Sequence, residues 1–131
     1  MIHETAKQAG DSNPDEKLDP HTFASTFGQA VWLMTMSKAY QDLHIRDLEH
    51  RVAPAVLLRH FKLYSKGKQP VAFLTWASVT DELRDRIAAG DKTLELQDWR
   101  SGRNIVVVDC VSPFAPASEI IEGFLNAVPS A

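Results

Sequence analysis

What this sequence has little of narrows its function first. It holds a single cysteine, Cys110, so no disulfide can close within the chain and a thiol nucleophile has one candidate. No apolar run approaches the roughly 20 residues that a membrane helix needs, and no membrane span is expected. The first residues lack the basic start, apolar stretch and small-residue cleavage site of a secretory leader. A cytoplasmic location is the expectation that follows. Positive charge is not in excess: 14 Lys and Arg stand against 17 Asp and Glu, for a formal net charge of -3. That balance argues against sequence-independent nucleic-acid binding by the whole molecule. The glycine patterns GxGxxG, GxxxxGK and GxSxG are missing, which leaves nucleotide loops and a nucleophile elbow unsupported. The five histidines, His3, His21, His44, His50 and His60, form no HExxH and no pairing with cysteine, so no metal site is predicted.

What is present suits one small domain. A chain of 131 residues with 44% hydrophobic content can fill a single two-layer core. The whole net negative charge resides in residues 1–19, where five acidic residues meet two lysines amid Gly10, Ser12, Asn13 and Pro14. Such a stretch has too little apolar surface to offset ordering entropy and reads as a disordered lead-in. Residues 20–131 read as the folded domain.

A helix is expected from Asp19-Pro20, with Asp19 as cap and Pro20 where a missing N–H does no harm. Phe23, Phe27, Ala30 or Val31, and Met34 recur at helical spacing up to about Met36-Ser37. A short helix from Ile45 to His50 stops before Pro54. Val56 to Tyr64 reads as a strand, Lys66-Gly67-Lys68 as a turn and Val71 to Ala77 as its antiparallel partner. Thr80 caps a helix that Gly90 closes. Ile105 to Val108, a continuous β-branched run, reads as a central strand buried on both faces. A last helix spans Ser118 to Ala127. The order implies an α+β fold, a mostly antiparallel sheet flanked by helices.

Asp109 is the most informative residue. A carboxylate ending an all-aliphatic strand is partly desolvated, as an acid–base group needs to be. The plainer reading is a capping or salt-bridging aspartate, with Arg100 or Arg103 as partner. His44, just beyond the first helix, is the leading acid–base candidate among the histidines. Cys110 reads as a small hydrophobe rather than a nucleophile. Arg59, Lys62, Lys66 and Lys68 lie in a stretch without acidic residues between Glu49 and Asp81. They either steer an acidic partner or protect a hairpin edge from pairing.

Five segments, in order, resemble the RTX toxin-activating lysine acyltransferases. They are Phe27-Gly28-Gln29-Ala30-Val31-Trp32-Leu33-Met34-Thr35-Met36-Ser37; Val52-Ala53-Pro54-Ala55; Pro70-Val71-Ala72-Phe73-Leu74-Thr75-Trp76-Ala77; Asp98-Trp99-Arg100-Ser101-Gly102; and Asp109-Cys110-Val111-Ser112-Pro113-Phe114. The resemblance implies a GNAT-like fold, a homodimer, no bound cofactor, acyl carrier protein as the donor of a fatty acyl thioester, and a lysine of an RTX protoxin as acceptor. It gives Asp109 a catalytic role and Ser37, Trp32 and Trp76 substrate-binding roles. The family's catalytic histidine matches Tyr40, three residues after Ser37. A phenol with an ordinary pKa of about 10 is a poor base at neutral pH but can protonate a departing thiolate. His44 could instead supply the base. Alternatively, catalysis is lost and a non-catalytic module remains that binds an acyl carrier or another protein. The chain also ends short of the C-terminal extension of the hemolysin-type relatives, which leaves its acceptor open. A small-molecule enzyme using acyl-CoA is a third reading, disfavoured by the missing pyrophosphate loop.

Overall fold

The structure is a computed structural model that describes residues 18–128. Most of the expected lead-in, residues 1–19, lies outside the described residues. Of its last two, Leu18 packs against the core and Asp19 caps the first helix, its Oδ2 accepting from Thr22 N–H at 3.0 Å.

Helix α1 (Pro20–Thr35) opens on that cap with Pro20 in its first turn, and buries Thr26, Ala30, Leu33 and Met34. Phe23 and Phe27 stack on the same side, with ring centroids 5.7 Å apart. The short helices α2 (Ile45–Arg51) and α3 (Ala53–Leu58) follow with a single residue, Val52, between them. Strands β1 (Phe61–Lys66) and β2 (Gln69–Val79) form the expected hairpin. Its turn is made by Gly67 at φ +63, where a side chain would be strained. Helix α4 (Asp81–Ala88), a 3₁₀ turn (Leu96–Trp99), strand β3 (Asn104–Val111) and helix α5 (Ala117–Ala127) complete the order. Thr80 caps α4 as expected, its Oγ1 accepting from Leu83 N–H at 3.2 Å.

Among the described residues the strands form one antiparallel sheet in the order β1-β2-β3. The architecture is α+β, as the sequence implied. Helices α1, α3 and α4 cover one face in two apolar clusters, and α5 covers the other. The first cluster joins Leu33, Val52, Val56, Phe61, Phe73 and Val111; the second joins Ala77, Val79, Leu83, Ile87, Trp99 and Val108. On the far face Phe124 of α5 meets Leu74 and Cys110. No helix among the described residues is long and apolar enough to cross a membrane.

Two expectations need correction. The strand predicted from Val56 begins only at Phe61, because Pro54 starts helix α3 instead of merely stopping the helix before it. Arg59, left-handed at φ 60, then turns the chain into β1. Second, β3 is not central. It lies at a sheet edge with Ile105, Val106 and Val107 only half-buried, and β2 holds the middle. The Asp98–Gly102 segment ties β3 to β2: Ser101 N–H donates to the Ser78 carbonyl at 2.7 Å, and the Ser78 hydroxyl donates to the Gly102 carbonyl.

Candidate active site

A bulge places Asp109. In the β2–β3 ladder Thr75 faces Asp109 while its neighbour Trp76 faces Val107, so Val108 is one residue extra in β3. Side chains normally alternate between faces, and a bulge breaks the alternation. Had the Trp76–Val107 register continued without a bulge, Asp109 would pair with Leu74 and face α5, away from α1–α4. Instead it lies in the seam between the two apolar clusters, 2% exposed, opposite the fully buried Thr75. Its backbone N–H donates to Thr75 Oγ1 at 3.1 Å.

A buried carboxylate requires partners. Arg51, the last residue of α2, supplies a fork: its Nε donates to Oδ2 at 3.1 Å and its Nη2 to Oδ1 at 2.5 Å. The helix C-terminus independently favours a cation there. Lys92, in the loop after α4, donates from Nζ to Oδ1 at 3.4 Å. Neither Arg100 nor Arg103, the partners considered from sequence, forms this bridge; both are exposed.

Tyr40 completes the cluster. Turns off the end of α1, with Tyr40 N–H bonded to the Ser37 carbonyl at 3.0 Å, swing its ring inward. Its Oη accepts from Cys110 N–H at 3.1 Å, and the phenol lies near enough to Asp109 for the carboxylate's charge to act on it. The Arg51 guanidinium lies 5.8 Å from the ring centroid. Burial, and next the negative charge of Asp109, push the phenol well above its ordinary pKa. Tyr40 therefore keeps its proton across the working pH range and can act as a donor, not a base.

Two hollows border the cluster. A polar cleft of about 530 Å³ is lined by Asp47, His50, Arg51 and the Gly90–Thr93 loop with Lys92. An apolar groove of about 170 Å³ is lined by Val31, Met34, Leu43, Ile45 and Leu48, with Tyr40 in its wall.

The other candidates lie elsewhere. His44 is exposed at the start of α2, where its N–H donates to Asp47 at 3.1 Å, and none of the bonds of Asp109 or Tyr40 reaches it. Ser37 acts through its backbone, in the turn that carries Tyr40. Trp32 is 43% exposed on α1. Trp76 belongs to the α5 side of the sheet, stacked on His60 at 3.9 Å. Lys66 and Lys68 are exposed on the hairpin, and Arg59 and Lys62 are partly covered. Cys110 turns its thiol toward α5; burial, then Asp109, push it up to about 11, which suits a core side chain and not a nucleophile. The sequence reading missed Arg51, Lys92 and Thr75. Only Thr75 had a signal, as part of the Pro70–Ala77 segment.

This constellation can hold an amine against a carboxylate and a leaving group against a phenol. The chain is 28% identical over 102 residues to a lysine-acyltransferase of Vibrio cholerae, covering 77% of this chain and 67% of that protein. It is 28% identical over 94 residues to the RTX-II toxin-activating lysine-acyltransferase of Actinobacillus pleuropneumoniae, covering 72% and 59%. To a protein-lysine myristoyltransferase of Kingella kingae it is 28% identical over 90 residues, covering 69% and 54%. The chain thus spans between half and two-thirds of the length of these relatives. Residues 19–129 match the model of the RTX toxin acyltransferase family, and the chain belongs to that family.

Proposed function

We propose that this chain is a protein-lysine acyltransferase that moves a fatty acyl group from the thioester of acyl carrier protein to a lysine of an RTX protoxin. The observation that carries the reading is the Tyr40 phenol near Asp109, with Tyr40 in the wall of an apolar groove and the two cations bonded to Asp109, Arg51 and Lys92, in the lining of a polar cleft. The acceptor ammonium enters by the polar side and meets Asp109. The thioester lies with its carbonyl over the amine and its sulfur toward Tyr40. As the carbon–nitrogen bond forms and the carbon–sulfur bond breaks, Asp109 accepts a proton from the amine and Tyr40 gives its own to the thiolate. Tyr40 then recovers a proton from Asp109. Of the two protons the ammonium loses, one ends on the thiol and one in solvent. Arg51 keeps the carboxylate fixed in place, a preorganisation that needs no rearrangement during reaction. The basic residues Arg59, Lys62, Lys66 and Lys68 are the proposed docking surface for the acidic carrier, which makes transfer salt-sensitive.

The test is direct. Purified chain, fatty acyl carrier protein and a fragment of an RTX protoxin are incubated, and the acceptor is mapped by mass spectrometry. An amide-linked fatty acyl lysine is expected. Its absence with every RTX acceptor tried would overturn the proposal.

One observation favours a second reading, a non-catalytic module that binds an acyl carrier or a partner protein. Asp109 is locked by a forked arginine, as structural carboxylates are. Retained carrier binding without transfer would select it.

A further inference from the structure

Lys92 is a cation on Asp109 that the reaction above leaves unused. Its loop is held tightly. Asp91 Oδ1 accepts from Thr93 N–H at 3.0 Å, and Arg86 bonds both Asp91 Oδ2, at 3.3 Å, and the Thr93 carbonyl, at 3.0 Å. Asp91 N–H is bonded in turn to the Arg86 carbonyl at 2.9 Å. A residue gripped on both sides projects Lys92 in one direction, with Nζ 3.4 Å from Asp109 Oδ1. The side chain is not sealed in: it is 34% exposed and lines the polar cleft. A lysine ε-amine thus stands against the carboxylate, open to the cleft, in the attitude that an acceptor lysine would need. Lys66 and Lys68 sit exposed on the hairpin and have no place in the lining of this cleft.

We propose that Lys92 is an internal acceptor, a site at which the chain acylates itself when a fatty acyl thioester is bound beside Tyr40 with no protein acceptor present. This rests on the acyltransferase reading. The step is the same in its atoms: the Lys92 amine bonds to the acyl carbon, the carbon–sulfur bond breaks, the thiol leaves protonated, and the second ammonium proton goes to solvent. The product is a stable amide. Acylation removes one of the two cations on Asp109 and leaves an amide where the acceptor amine would stand, so the modified chain acts as its own brake on transfer to other proteins.

The test incubates the full chain with a myristoyl thioester of acyl carrier protein and no acceptor, followed by intact mass and peptide mapping. A single acyl addition at Lys92 is expected, at a rate at least about tenfold above Lys66 and Lys68, because a held amine reacts faster than a free one. Lys92→Arg should remove that addition, and Asp109→Asn should bring it down to the level of the exposed lysines. Wild-type mapping and Lys92→Arg decide the matter should Asp109→Asn fail to fold. Acyl groups spread over lysines by exposure overturn the inference. So does a Lys92 left unmodified in the acceptor-free reaction by a preparation that acylates an RTX protoxin fragment in a parallel reaction, an outcome that leaves the proposed function standing. Transfer to neither the fragment nor the chain sinks both.

Discussion

Arg51 and Asp109, 58 residues apart in the chain, meet in a forked ion pair that closes the seam between two apolar clusters. The arginine comes from the end of a short helix and is part-exposed; the aspartate is nearly sealed, with side chains 23% and 1% exposed. One pair therefore supports both the packing of α2 against the sheet and the orientation of the candidate catalytic carboxylate.

Removing Arg51 should hurt more than the pair is worth. Arg51→Ala leaves a buried carboxylate with Lys92 alone as its cation, and the expected loss is about 3–5 kcal/mol in urea unfolding. Arg51→Lys keeps the charge but not the fork, and should recover only part of the loss. A change below about 1 kcal/mol for Arg51→Ala would show that the pair carries little structure.

Tyr40 separates chemistry from stability. Tyr40→Phe removes the phenol and leaves Cys110 N–H without its partner, at a cost of about 1–3 kcal/mol. Transfer should fall by about 10²–10⁴-fold, with the acceptor KM little changed. Tyr40→His is expected to lose activity as well, because an imidazole is shorter than a phenol and its charged form would face Arg51. A large gain in transfer from Tyr40→His would instead mark a decayed enzyme.

Gly102 is a packing prediction independent of the reaction. A Cβ there would stand 2.4 Å from the Val79 carbonyl oxygen, a backbone atom that cannot turn aside. Gly102→Ala should cost about 2–4 kcal/mol by thermal or urea unfolding. A near-neutral result would mean that the turn shifts freely against β2.

His60 sets an acid limit on stability. Burial, and next the charge of Arg100, push it down to about 4, so folding holds the imidazole neutral. In the unfolded chain histidine takes up its proton near pH 6.5, so between about pH 6.5 and 4 the unfolded state binds more protons. Stability contributed by the neutral ring is full above pH 6.5 and is lost as pH falls toward 4. Allowing for solvent screening, the loss is on the order of 2 kcal/mol. Unfolding measured at pH 7 and pH 4.5 should show it, and His60→Gln should flatten that part of the profile; an unchanged slope would count against a buried neutral His60.

Much of the fold can be read locally. The Asp19-Pro20 and Thr80 caps, the Gly67 turn and the α5 stripe are signals within a few residues of their effect. Val56–Leu58 misled because short apolar runs suit strands and buried helices alike, and only the packing of α3 on the sheet decides between them. The edge position of β3 was equally hidden, since its half-buried face is covered by α5 from outside the strand.

The sequence by itself determined the family, the α+β order, the acid near the end of β3 and the tyrosine just beyond the first helix. Tertiary structure decided what those residues can do. A bulge at Val108 turned the aspartate toward the helices, sheet pairing brought Thr75 to it, and the packing of a helix end and a loop brought Arg51 and Lys92. The physical reason is desolvation: a charge sealed between two apolar clusters must find its partners in space, and nothing in the local chain records which residues those will be.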